Sequence, residues 1–426
     1  MPLKHVNNNT HLPITHQILP PNPKWLPPVA KSIHKLVVSR PTAAGREAFT
    51  NLSAALLEAY PLQAPHLLFS DQPSTSTTTT ALSPPSSYLL INLLLIDLRA
   101  TLPTLLATLN NPSYPAASHR LTSAFNTFSH FLGHLLRALD SPTPTLSPDH
   151  LLKLRTALSE TLSLTTEYLR DRYDAALAGA MGLHPDARTT TTTSSSSQPQ
   201  PAALAWDSAN ETHTLTHDPL ILAALRALAI WVREDDNAGL RREAAGLGDL
   251  MVELYRQDDN KGGLDFRGAV LVALEGIVEE PKGREAVLGE GVWEVLGGDL
   301  VRILTEERGE KEGEAERGVE VVRVLLAIAE AEEGETREAW MDLVTRVAAW
   351  DVPEGRQTGV VAECRVAVVQ LVTTLLANAP PGMRRRYVHS MGAVVGIAKR
   401  LRVMVEGDEG LEEALDDVLE TLGALR

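Results

Sequence analysis

The stretch ALEGIVEEPKGREAVLGEGVWEVLGGDLVRIL, residues 273–304, decides how the rest of the chain is read. It closes an apolar helix, passes through a polar turn at EEPKG, and continues into Arg-Glu-Ala followed by a large apolar residue. A Gly-containing bend comes next, then a longer helix that ends on Leu-rich positions. Two other stretches share this frame, PTAAGREAFTNLSAALLEAY (41–60) and EGETREAWMDLVTRVAAWDV (333–352), preceded by the apolar segments IHKLVV and VVRVLLAIAEAE. Arg284 and Arg337 stand 53 residues apart, which is long for a bare helical repeat because a charged loop lies between them. Units of two or three helices cannot bury an apolar face alone, but stacked in series they can, and this is the requirement of an α-solenoid.

The segments between these frames read as helices too. In DPLILAALRALAIWVR, Asp218 is a plausible N-cap and Pro219 the first helical residue. Ile221, Leu225, Leu228 and Val232 then recur at helical spacing. After the break at EDDN (234–237), Leu240, Ala244, Leu247, Met251 and Leu254 line one face of a second helix. Phe266, Val270, Ala273, Leu274 and Ile277 form a third stripe. Alternating strand patterns bounded by hairpin turns do not occur, so the expected fold class is all-α, an armadillo/HEAT-like solenoid with a right-handed superhelix.

Composition agrees. Hydrophobic residues make up 44% and aromatics only 4%, a balance that favours aliphatic helix packing over strands. The single cysteine, Cys364, excludes an internal disulfide, and its place in the apolar helical pattern VAECRVAVVQLV predicts a buried, inert thiol. Net charge is −15 but unevenly spread, +3 over residues 1–200 and −18 over residues 201–426. So acidic a second half argues against a phosphate-tracking nucleic-acid surface. MPLKHVNNNTHLP has no apolar run of the kind a cleaved secretion signal needs. The most apolar run, YLLINLLLIDL, is interrupted by Asn92, Asp97 and Arg99 and falls short of the roughly 20 residues of a membrane helix. A cytoplasmic or nuclear monomer is the expectation.

Residues 1–23 read as an irregular tail and residues 24–426 as one helical-repeat domain. Two Ser/Thr/Pro-rich insertions, 70–87 and 186–203, and a Gly-punctuated charged loop, 306–318, cannot bury a core.

Several clusters test for chemistry. A calcium loop starting at Asp235 would place Leu240 and Gly246 at its sixth and twelfth positions, and one starting at Asp258 would place Ala269 at its twelfth, so neither has the closing Glu. The EDDN stretch is therefore a turn in which Asp236 or Asn237 caps the next helix. Twelve of thirteen histidines precede residue 220. His130 and His134 in HFLGH have zinc-protease spacing without its Glu, and Phe125, Phe128, Leu132 and Leu135 fill the same helix, which makes them surface or boundary residues. His213 and His217 lie in a polar linker. An importin-type surface would pair Trp with Asn four residues on, which only Trp206 and Asn210 do, inside that linker. No catalytic, cofactor-binding or metal residue is assigned. Two surfaces remain as candidates for protein binding: the charged corner Arg233, Glu234, Asp235 and Asp236, and the basic segment Arg384, Arg385, Arg386, Lys399, Arg400 and Arg402. The acidic stretch EGDEGLEEALDDVLE after that segment is placed to neutralise part of it.

The 273–304 frame resembles the armadillo repeat. Together with LLINLLLIDLRATLPTLL upstream and residues 218–255, it is similar to the neurochondrin family in a shorter, fungal-type form, over residues 24 to 305. That resemblance implies a cytosolic helical scaffold without a catalytic motif, and the animal members are linked to neuronal signalling through kinase and receptor binding. The leading expectation is a non-enzymatic scaffold that holds a peptide or helix of another protein in its groove, with no cofactor and no nucleic acid. The alternatives are a metal-binding or hydrolytic enzyme using the His-rich half, and phosphate or lipid-headgroup binding through the C-terminal arginines as a peripheral contact.

Overall fold

Asp218 accepts the backbone N–H of Leu220 at 2.9 Å and starts a helix at Pro219, as the sequence pattern requires. The same economy of caps and apolar stripes runs through the whole computed structural model. It describes residues 20, 22–39, 41–70, 84–109, 111–139, 146–178, 215–256, 263–305, 312–332, 336–353 and 359–425. All regular elements among these residues are helical. The expected insertion 186–203, Trp206, Asn210, His213 and Asp258 lie outside the described residues, as does the tail apart from Pro20, Asn22 and Pro23. The sequence suggests one repeat domain, and the packing resolves into two compact units, Met1–Asp235 with Gln257–Phe266, and Asp236–Arg256 with Arg267–Arg426.

The first unit holds α1 (Leu26–Val38), α2 (Ala43–Ala59), α3 (Ala64–Phe69), α4 (Ser86–Leu105), α5 (Tyr114–Leu139), α6 (Pro148–Leu177) and α7 (Pro219–Glu234). They form two rows. α1 packs on α4 and α4 on α6, while α2 packs on α5 and α5 on α7. Ser86 and Ser87, expected in the insertion 70–87, already belong to α4, and residues 71–83 lie outside the described residues. With its 3-10 extension to Thr108, α4 spans 23 residues and is long and apolar enough to cross a membrane, as is the helix Gly359–Asn378. This corrects the expectation that the apolar run is too short. The helix runs through Asp97 and Arg99 because neighbouring helices supply counter-charges, Arg120 for Asp97 and Glu160 for Arg99.

The second unit is built from four successive groups of three. The first is α8 (Ala238–Ala245), α9 (Gly248–Arg256) and α10 (Arg267–Val278). The second is α11 (Pro281–Gly289), α12 (Val292–Thr305) and α13 (Glu312–Ala331). The third is a 3-10 turn (Glu338–Trp340), α14 (Met341–Ala348) and α15 (Gly359–Asn378), and the fourth is α16 (Pro381–Arg386), α17 (Val388–Met404) and α18 (Glu409–Ala424). Third helices stack in the order α10, α13, α15, α18, and second helices in the order α9, α12, α14, α17. This is the stacking of an all-α solenoid of armadillo type. The stripe from Leu240 to Leu254 is buried as expected, but it belongs to two helices, α8 and α9, separated at Gly246 and Leu247.

A recurrent ion pair joins the groups. Arg242 on α8 reaches Glu280, and Arg284 on α11 reaches Glu332, each carboxylate standing where the following group begins. Arg242 starts a further Arg-Glu-Ala, 42 residues before Arg284, which sequence reading missed because Ala245 stands where a large apolar residue was required. The match at 41–60 has a different outcome. Thr42 caps it as Glu280 caps α11, but α2 then runs on for 17 residues as one long helix of the first unit. Trp293 and Trp340 stack at 4.2 Å between ring centres, with Arg337 over Trp340, so α12 and the 3-10 turn are held by aromatic contact.

The segment 306–318 is helical from Glu312, which corrects its reading as a loop; residues 306–311 lie outside the described residues. Glu312 and Glu314 in the first turn suit the positive end of the helix dipole, and Ala315 and Gly318 turn into the core. Gly318 is needed there, because a Cβ would come within 2.5 Å of Cys364 Sγ on α15. Burial pushes the Cys364 thiol up to about 12, in line with an inert cysteine. Gly318→Ala should therefore lower stability by about 1–3 kcal/mol through overpacking. Adding Cys364→Ala should recover most of the loss in urea unfolding. A Gly318→Ala protein as stable as the parent would contradict this packing.

Candidate protein-interaction surfaces

The EDDN corner is assembled from backbone requirements. The N–H of Asp235 donates to Trp231 O at 2.8 Å and closes α7. The Asp235 carboxylate is buried and accepts from Arg155 of α6, at 2.9 Å from Nε and 2.7 Å from Nη2. Asn237 Oδ1 accepts from Gly239 N at 3.0 Å and Leu240 N at 3.2 Å, so the cap of α8 is Asn237 rather than Asp236. Arg233 and Glu234 pair with each other at 2.9 Å, and Asp236 is exposed. Of the four residues predicted as a surface, Asp235 is a buried structural ion and the other three keep solvent contact.

The basic segment is likewise partly consumed. Arg402 is held by Asp416, at 2.6 and 2.9 Å, and by Glu412 at 3.0 Å, so α18 does neutralise α17. Arg386 pairs with Glu338 at 2.5 Å and Arg400 with Asp351 at 3.3 Å, both exposed pairs of small energetic weight. Arg385 and Lys399 are exposed and Arg384 is half-buried. Val394 and Ile397 pack inward, whereas Val395 is only half-buried.

Histidine placement departs from the sequence reading. His134 is buried, not at the surface: it stands edge-on to His66 at 5.3 Å between ring centres and lies against Phe69 of α3. Burial, with help from His66 and Arg137, brings its pKa down to about 4. His130 remains half-buried, one turn earlier. Among the described residues no group of three His, Cys, Asp or Glu side chains is arranged to hold a metal ion. The most connected buried carboxylate, Asp299 on α12, accepts from the Tyr255 hydroxyl at 2.7 Å, Arg302 at 2.5 Å and Arg317 at 3.1 Å. Burial alone would raise its pKa, but Arg317, Tyr255 and Arg302 together hold it below the usual carboxylate value. It ties α9, α12 and α13 together.

The third-helix row of the second unit carries a set of exposed carboxylates. Its exposed charges include Glu316 and Glu330 on α13, Glu363 on α15, and Glu413, Asp417 and Glu420 on α18. Arg323 is the exposed cation among the described residues of these four helices, and it is engaged by Glu320 at 2.7 Å. Arg267 and Arg365 on the same row are buried. Packed rows of helices with an acidic face on the third-helix row are the architecture of a helical scaffold-like protein.

Comparison with known proteins agrees with that class. The sequence profile of the neurochondrin family matches residues 4–340, and the chain belongs to the neurochondrin family. The match is broader at both ends than the stretch 24–305 that carries the resemblance in sequence. An uncharacterized protein of Schizosaccharomyces pombe is 20% identical over 245 residues, covering 55% of this chain and 38% of that protein. The matched region thus spans well under half the length of that relative.

Two measurements check the corner and the histidine. Asn237→Ala should cost about 1 kcal/mol through loss of the cap, whereas Asp236→Ala should stay within about 0.5 kcal/mol. Equal losses would show that the cap is misassigned. Because the folded pKa of His134 lies below its unfolded value, the unfolded chain binds the extra proton first. Stability should therefore fall as pH drops from about 6.5 toward 4, and His134→Phe should remove part of that fall; an unchanged pH profile would contradict the buried placement.

Proposed function

We propose that this protein is a non-enzymatic scaffold that engages a basic helix or extended segment of another protein on the third-helix row of its second unit. The observation that carries the reading is the sign of the exposed charge on α13, α15 and α18, almost wholly carboxylate among the described residues. A surface of one sign raises the association rate with an oppositely charged partner and disfavours like-charged ones. Helix rows also offer an extended, preformed footprint, which lowers the ordering cost of binding. Membership of the neurochondrin family supports a scaffold role, and a cytoplasmic setting is part of the same proposal.

The test uses the full-length protein and a synthetic amphipathic helix of Lys and Leu as the probe, followed by fluorescence anisotropy. Binding should weaken as salt rises through the physiological range, where the Debye length is about 8 Å. Glu316→Lys combined with Glu363→Lys should weaken it about tenfold, equivalent to about 1.4 kcal/mol. Glu285→Lys combined with Glu294→Lys changes net charge equally on other helices and should have little effect. Equal losses in the two double variants would remove the assigned surface.

A further inference from the structure

The first unit carries a positively charged strip of a different character. α5 is flanked by α2 and α7 within its row and also packs on α3 and α4. Among the residues of α5 that keep solvent contact, Asn126, Ser129, His130, Gly133 and Arg137 stand at helical spacing. Phe125, Phe128, Phe131 and Leu132 between them are buried. On α7, Arg226, Ile230 and Arg233 follow the same spacing and are also half-buried.

Gly133 keeps the strip low. The nearest atom to a Cβ placed there is Arg137 Nη2, at 4.0 Å, so this guanidinium folds back along α5 toward His130. Burial lowers the pKa of His130, and two cations, Arg137 from its own helix and Arg226 from α7, add to that effect. His66 of α3 acts on His134 instead. Asp265 offsets part of the charge of Arg226, itself partly withdrawn from water. The hydroxyl of Ser129 is buried without a hydrogen-bond partner. Arg137 is exposed, while His130 and Arg226 are half-buried; two guanidinium groups beside a partly desolvated imidazole are unfavourable without an anion, and favourable with one.

We propose that His130, Arg137 and Arg226 form an oxyanion-binding site that takes a phosphate or carboxylate group on a partner polypeptide. The guanidinium fork matches either group in two-point geometry, and an ammonium would not. His130 then acts as a proton-linked third donor, charged when the anion is present. This site does not depend on the acidic row of the second unit, and either can fail while the other stands.

The experiment follows the imidazole of His130 by NMR in full-length protein labelled at histidine, the resonance being assigned with His130→Gln. Inorganic phosphate, a phosphoserine peptide and its glutamate counterpart are titrated separately. With a bound anion the His130 pKa should rise by about one unit, a tenfold gain in proton affinity. Arg137→Gln and Arg226→Gln should each weaken saturation by about tenfold, with far-UV circular dichroism unchanged. A response to the phosphopeptide alone identifies a phosphorylated partner, and a response to the glutamate peptide identifies a carboxylate. A response to free phosphate but to neither peptide means an adventitious ion only and overturns the partner. No response, or one that persists unchanged in both arginine variants, overturns the site and leaves Arg137 as a helix C-terminal cation.

Discussion

Helix α15 is apolar around so much of its circumference that water cannot be its neighbour on either side. Eleven of its twenty residues are buried, in the runs Cys364–Val366, Val368–Val369, Leu371–Thr373 and Leu375–Leu376 together with Val361. Covering each such aliphatic side chain is worth about 1.5–3 kcal/mol, so α15 needs a helix on both faces. α13 supplies one and α18 the other, and α13 in turn needs α10. Everything else in the second unit follows from this mutual dependence. The short first helices and the second row serve to return the chain so that the next third helix arrives in register.

Polar groups then fix that register. Asn378 donates to Ala329 O at 3.0 Å and ties the end of α15 to α13, and Thr336, ahead of the 3-10 turn, donates to Leu375 O of α15 at 3.1 Å. Gly283 has a similar role at the other end of the repeat: a Cβ there would lie 2.7 Å from Ile277 O, so α11 approaches the end of α10 as only glycine allows. The Arg242–Glu280 and Arg284–Glu332 pairs close successive groups in the same place. These interactions are individually modest; together they disfavour a slip that would expose an apolar stripe.

Much of this was legible in the residues, and the reason is physical. Helix caps and stripes are local, so Asp218, the stripe of α7 and the stripe of α10 read correctly from spacing alone. The frame around Arg284 gave the three-helix group because its turn, bend and apolar residue lie within about thirty residues of one another. What sequence could not supply depends on contacts between distant segments. The split of the Leu240–Leu254 stripe into two helices, the burial of Asp235 by Arg155 and the burial of His134 by α3 all require a partner 60 or more residues away or a bend that Gly246 permits without demanding. The EDDN corner shows both sides: its capping role was readable, but the burial of Asp235 between the exposed Glu234 and Asp236 was not. The charged strip of α5 and α7 was invisible, because nothing in HFLGHLLR signals that Arg226 lies beside it.

The central claim is that the third helices hold one another in place. Native-state amide hydrogen exchange tests it most directly, since protection reports the free energy of opening each element. The account predicts the slowest exchange in α13 and α15, which have a third helix on each side, and the fastest in the short helices α8, α11 and α16. Exchange in α13 and α15 as fast as in α16 would contradict it.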